Sequence, residues 1–161
     1  MKAQHFTLPC PMRKRKVISV KPIEISLVED NPGDVFLTRN ALQRAKLSNN
    51  LHDVKNGEEA LAFLKQKEPF ANAPRPDIIL LDLNLPRMNG HEVLQAVKSD
   101  DALKDIPVIV LTTSSNKEDI INSYRHYANA YITKPVNIEQ LIEVLQSFGQ
   151  FWLTTVTLPS R

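Results

Sequence analysis

The chain has 161 residues, 42% hydrophobic and 24% charged, an ordinary globular composition that suits one domain with extensions at about 100–200 residues per domain. Its single cysteine, Cys10, excludes a disulfide framework and any multi-cysteine zinc site, and fits a reducing compartment such as the cytoplasm. The formal net charge of +2 conceals a division: residues 1–22 hold six basic residues and no acid, whereas residues 23–161 hold 14 basic against 18 acidic residues, a net of −4, so on charge the domain is not a nucleic-acid binder.

Residues 1–22 carry Pro9, Pro11 and Pro22 and show no apolar period, and are expected to form a poorly ordered basic tail. The run Arg13-Lys14-Arg15-Lys16 reads as a solvated tail, with polyanion binding as the other reading, and a start at Met12 is also open. No apolar signal-like segment precedes it. The longest uncharged stretch, 144–160, contains Gln, Ser, Thr, Gly149 and Pro159, and a membrane span wants about 20 mainly apolar residues, so no membrane insertion is expected.

From Ile23 the pattern changes. Segments 23–28, 50–55, 77–81, 107–111 and, more weakly, 130–133 are rich in β-branched residues, and the third and fourth are nearly continuous apolar runs. Such runs suit central strands covered on both faces. Amphipathic stretches alternate with them at 34–46, 56–64, 91–98, 116–127 and 137–148. Asn56, with Glu59 three residues later, has the form of a capping box. Gly33, Gly57, Gly90 and Gly149 fall at helix ends or turns, where a positive φ or close approach is most useful. Residues 65–76, with Pro69, Pro74 and Pro76, are expected to form a surface loop. Five β-α repeats with short connections predict a parallel sheet with helices on both faces.

In such sheets ligands bind beyond the carboxyl ends of the strands. The residues there are Glu29 and Asp30 after the first strand, Asp82 after the third, Thr112-Thr113 after the fourth and Lys134-Pro135 after the fifth. Crowded carboxylates repel one another, and a hard cation such as Mg²⁺ resolves this with oxygen ligands. A carboxylate is also a nucleophile toward phosphorus. A metal and an ammonium would then neutralise charge on the transferring phosphoryl oxygens.

These residues sit in recognisable motifs: Leu27-Val28-Glu29-Asp30-Asn31, Leu81-Asp82-Leu83-Asn84-Leu85-Pro86 followed by Met88-Asn89-Gly90, Val110-Leu111-Thr112-Thr113, and Tyr131-Ile132-Thr133-Lys134-Pro135. Over residues 23–148 the chain resembles the receiver domain of two-component response regulators, the CheY-like family. With its proline-bearing loop, the opening Glu29-Asp30-Asn31-Pro32-Gly33-Asp34, Thr112-Thr113-Ser114 and the end Phe151-Trp152-Leu153-Thr154-Thr155-Val156-Thr157-Leu158-Pro159, it is similar more narrowly to the cyanobacterial phytochrome response regulators. The intervals of 30 residues from Asp82 to Thr112 and 22 from Thr112 to Lys134 agree with that resemblance. It implies a flavodoxin-like (βα)5 sandwich of strand order 2-1-3-4-5, with Asp82 as phosphoacceptor. Glu29, Asp30, Asp82 and the main-chain oxygen of Asn84 would hold Mg²⁺, with the Glu29 contact either direct or through water. Thr112 and Lys134 would contact the phosphoryl group, Thr112 and Tyr131 would form the switch, and the Lys134–Pro135 bond would be cis. An ordinary half-buried strand tyrosine is the plain reading of Tyr131. His52, His91 and His126 show no ligand spacing and read as surface or cap histidines.

The implied function is that of a signalling protein rather than an enzyme, phosphorylated by a sensor histidine kinase of phytochrome type and acting through changed protein–protein contacts. The thirteen residues after Phe148 are too few for an effector domain. A phosphorelay intermediate, a phosphorylation-independent binding module and direct transcriptional control are alternatives. A haloacid-dehalogenase-like phosphatase is disfavoured, since that resemblance needs an acid where Asn84 stands. In the extension 149–161, Phe151 and Trp152, with Phe148 before them, are expected to make a homodimer contact; folding back over the last helix as core cover is the alternative.

Overall fold

The computed structural model describes residues 21–45 and 48–159. The basic tail therefore lies outside the described residues, apart from Lys21 and Pro22. The elements alternate as β1 (Ile23–Val28), α1 (Pro32–Arg44), β2 (Asn49–Val54), α2 (Gly57–Leu64), β3 (Ile78–Leu81), α3 (Gly90–Ser99), β4 (Val108–Thr112), α4 (Lys117–Arg125), β5 (Ala130–Thr133) and α5 (Ile138–Gln150). All four strand pairings are parallel, and the order is β2-β1-β3-β4-β5.

The two-residue period of the strands divides the core. Ile25, Leu27, Ile78, Leu80 and Ile109 pack on one face with Leu42 of α1 and Phe148 of α5. Val28, Val54, Ile79, Leu81, Val108 and Val110 pack on the other with Phe63 of α2 and Val93, Leu94 and Val97 of α3. β3 and β4 are buried along their whole length, which is why their sequences do not alternate.

Asparagine starts every one of the five helices: Asn31, Asn56, Asn89, Asn116 and Asn137 each accept a backbone N–H of the first turn. α1 begins two residues before its expected start because Asn31 caps it and Pro32 fits the first turn. A full capping box occurs at α3, where Asn89 and Glu92 bond reciprocally. At α2 the box is displaced, since Glu59 accepts from Lys55 N rather than from the cap residue.

No described glycine has a positive φ; Gln66, Arg87 and Tyr127 do. Tyr127 closes α4, with Ala128 N–H bonded to Ser123 O at 2.9 Å and Tyr127 N–H to Tyr124 O at 3.0 Å. That is a Schellman end whose left-handed residue is usually glycine. Tyr127 is 76% exposed and has φ 64°. Tyr127→Gly should therefore raise stability by about 0.5–1 kcal/mol through relief of backbone strain. A thermal melt checks this, and a lowered Tm would show that the ring's contacts outweigh the strain.

At the C-terminus the sequence expectation needs correction. Leu141, Leu145 and Phe148 recur at helical spacing on the inner face of α5, and Phe148 is 3% exposed in the core. It is covering the sheet and is not available as a dimer contact. A π-helical turn follows, Phe151–Thr155. It leaves Phe151 54% exposed, buries Leu153, and lays half-buried Trp152 against the same core.

Candidate functional site

Parallel register brings the strand ends to one rim. Asp82 N–H donates to Val28 O at 3.0 Å, and Lys134 N–H to Thr112 O at 2.6 Å, so the residues that follow β1, β3 and β5 meet beside the end of β4. Glu29, Asp82, Thr112 and Lys134 are all buried, and Asp30 is exposed. One carboxylate oxygen from each of Glu29, Asp30 and Asp82 lies within 4.8 Å of the others.

The Lys134 ammonium enters this group. It donates to Glu29 Oε2, to Asp34 Oδ2 at 2.9 Å and to Asp82 Oδ2 at 3.5 Å. Asp34 was not among the residues expected at the site. It stands in the first turn of α1, and Thr38 Oγ1 donates to its carbonyl at 2.7 Å. A signal existed in its interval of four residues from Asp30 near a helix start, but an acid in a first turn is commonplace.

The remaining contacts orient the nucleophile candidate. Asn84 N–H donates to Asp82 Oδ1 at 3.1 Å, and its side-chain amide reaches Thr112 Oγ1 at 3.4 Å and Thr113 Oγ1 at 3.3 Å. Both oxygens of Glu29 are engaged, Oε1 by Asn31 N–H at 3.0 Å and Oε2 by Lys134. The Tyr131 ring is half-buried against the β3–β4 core, and its hydroxyl donates to Ser114 O at 2.7 Å.

Burial pushes the Glu29 carboxyl up to about 7, against the lowering pull of Lys134. For Lys134, burial acts downward, but the hydrogen bond it donates to Glu29 and the charges of Asp82 and Glu29 outweigh it and hold the amine above the ordinary lysine value. Burial likewise raises the Tyr131 hydroxyl. One buried cation among three carboxylates leaves a surplus of negative charge, with oxygen donors only. That donor set fits a hard divalent cation.

The bond expected to be cis is not. Among the described residues the cis bond is Glu68–Pro69, and Lys134–Pro135 is not cis. The isomers of an X–Pro bond differ by only about 0.5–1 kcal/mol, so a Lys-Pro pair does not settle the geometry by itself.

Residues 25–146 match the model of the response regulator receiver domain. The response regulator Rcp1 of Synechocystis sp. is 45% identical over 139 residues, which span 86% of this chain and 95% of that protein. Among solved structures, the manganese-bound form of Rcp1 superposes with a TM-score of 0.84 at 45% identity, covering 86% of this chain and all of that one. The phosphorylated cyanobacterial phytochrome response regulator RcpA gives 0.84 at 48% identity, covering 87% and 100%. Receiver domains take Mg²⁺ or Mn²⁺ in an acidic pocket of this kind, and here the carboxylates, the lysine and the parallel fold that gathers them all lie within the matched span: the chain belongs to the response regulator receiver family, the signalling proteins of two-component systems.

Proposed function

We propose that this chain is a phosphorylation switch in which a sensor histidine kinase, of phytochrome type, transfers a phosphoryl group to Asp82. The observation that carries the reading is the position of the Asp82 carboxylate. It is buried, held through Oδ1 by Asn84 N–H and faced at Oδ2 by the Lys134 ammonium at 3.5 Å. In the transfer, an Asp82 oxygen forms the new bond to phosphorus. The phosphorus–nitrogen bond to the donor imidazole breaks, and the imidazole leaves with the electron pair. Lys134 balances charge on the equatorial oxygens. The buried Thr112 hydroxyl lies at the same rim and would donate to one of them.

Glu29, Asp30, Asp82 and the main-chain oxygen of Asn84 would hold a Mg²⁺ ion, which supplies further neutralisation of the phosphoryl oxygens. Each Glu29 oxygen accepts one hydrogen bond and keeps a further lone pair, so Glu29 would meet the ion either directly or through a water. Thr112 and Tyr131 then shift together, and the surface of α4, β5 and α5 changes its preferred partner. That is a population shift biased by contacts made in one state only.

Two surface features suit the partners. Phe36 on α1 and Val136 and Ile138 near the start of α5 are exposed beside the rim, an apolar border on which a kinase helix can seat. Phe151, exposed after α5 beside half-buried Trp152, is the remaining candidate for a homodimer contact. Among the described residues no helix is long and apolar enough to cross a membrane, and the setting we propose is the cytoplasm.

Incubation with acetyl phosphate and Mg²⁺ tests the reading. The wild type should incorporate phosphate with one equivalent as the limit. Asp82→Asn and chelator-treated protein should incorporate none. A sizing column on each sample, with Phe151→Glu beside them, reads whether the phosphorylated chain self-associates. Unchanged labelling of Asp82→Asn would overturn the assignment.

A further inference from the structure

The histidine expected to be an ordinary surface or cap residue, His91, is tied into the switch. It is the second residue of α3, half-buried, and its Nε2 lies 3.1 Å from Asp119 Oδ1 on α4. A carboxylate only accepts, so Nε2 carries the proton of this bond. The other oxygen of Asp119 accepts from Ser114 Oγ at 2.5 Å, and Ser114 Oγ accepts from Asn116 N–H at 3.3 Å. Ser114 in turn offers its carbonyl to the Tyr131 hydroxyl at 2.7 Å. A single chain of hydrogen bonds therefore runs from α3 through α4 and the β4–α4 loop to β5.

Three further facts give this chain its direction. Gly90, the residue before His91, seats the start of α3 directly on the backbone of Asp82, because a Cβ there would stand 2.3 Å from Asp82 O. The ring of His126, the C-cap of α4, stands edge-on to His91 with centroids 6.5 Å apart. Together with Asp119 it is the titratable neighbour that α4 presents to His91. The Asp119 carboxyl lies below the ordinary carboxylate range, held there by the hydrogen bonds from Ser114 and then His91.

We propose that His91 is a positioning residue for the switch: through Asp119 and Ser114 it holds the Tyr131 hydroxyl in its present place and so sets how readily the domain adopts its phosphoryl-accepting arrangement. Its ring faces Asp119 and His126 on α4 rather than the carboxylates of Glu29, Asp30 and Asp82. The inference rests on the phosphorylation reading only for its consequence. The geometric claim, that His91 governs Tyr131, stands without it.

The test uses the full chain carrying Tyr124→Phe and Tyr127→Phe, which leaves Tyr131 as the one tyrosine, since the chain has three. Its ring resonances are followed by NMR without any phosphodonor. His91→Ala should displace them and Asp119→Asn should displace them in the same sense, while His91→Gln, which retains a donor, should restore the parent spectrum. With acetyl phosphate, His91→Ala should accept phosphoryl about three- to tenfold faster, the order expected when one hydrogen bond that favours the arrangement before the shift is lost. Unmoved Tyr131 resonances in a folded His91→Ala protein overturn the proposal, as does failure of glutamine to restore them. Should His91→Ala not fold, Asp119→Asn and His91→Gln decide it by the same spectrum. A parent protein that takes no phosphoryl at all would count against the phosphorylation reading and leave the Tyr131 result to decide this one.

Discussion

Lys134→Met is expected to slow phosphoryl acceptance from acetyl phosphate by about 10²–10³-fold, the usual consequence of removing one preorganised charge-stabilising donor. The same change should destabilise the fold, and by an amount that depends on pH. Lys134 is the cation that faces Glu29, Asp34 and Asp82, and stripping the partner from a buried charge costs about 3–5 kcal/mol. The sign of the pH effect follows from Glu29. Burial already raises its pKa from 4.5 to about 7, so the folded state holds a proton that the unfolded chain gives up at lower pH. The stability associated with that proton is complete below pH about 4.5 and is lost as pH rises through about 7. Without the ammonium the lowering pull of Lys134 is gone, and the losing window extends to higher pH. Melting temperatures of wild type and Lys134→Met should therefore diverge more at pH 8.5 than at pH 6. An equal difference at both values would show that Glu29 is not the group responding.

Gly90→Ala should damage the site from beneath. The added Cβ would meet Asp82 O at 2.3 Å and Leu83 Cα at 2.5 Å, both backbone atoms that no rotamer change can move. The start of α3 must lift, straining the Asn89–Glu92 capping box and the loop that presents Asp82. Overpacking of this kind costs about 1–3 kcal/mol. Displacement of a reacting group by about 1 Å costs on the order of 10²-fold in rate. Gly33→Ala is the control, since its Cβ would meet only the Asn31 side-chain oxygen, at 3.1 Å. A thermal melt and a phosphorylation time course on the pair read both effects. Gly90→Ala behaving like Gly33→Ala would mean that the domain accommodates the methyl without moving Asp82.

The two variants mark where local and non-local information part. The β-α alternation, the buried character of β3 and β4, and the polar residues just beyond each strand were legible because they are written in periods and intervals of a few residues. Once the strands are parallel, Glu29, Asp30, Asp82, Thr112 and Lys134 must share a rim. Asparagine caps are local too, but asparagine serves turns as readily as helix starts, so its presence alone does not mark a cap.

Other features depended on how distant segments approach. Asp34 reaches Lys134 across 100 residues of chain, which requires the direction of α1 relative to the end of β5. Phe148 and Phe151 are three residues apart, yet one is in the core and the other largely in water, because the inner face of α5 ends where the sheet ends. His91 has no partner near it in sequence, and Asp119 comes to it only through the packing of α4 on α3. By itself the sequence determined the fold class, the acidic rim and its lysine, since these follow from hydrophobic period and strand-end position. Tertiary structure alone decided which charges share Lys134, which aromatics are covered and which hydrogen bonds link α3 to Tyr131, because such contacts depend on the relative placement of elements that short-range sequence patterns do not encode.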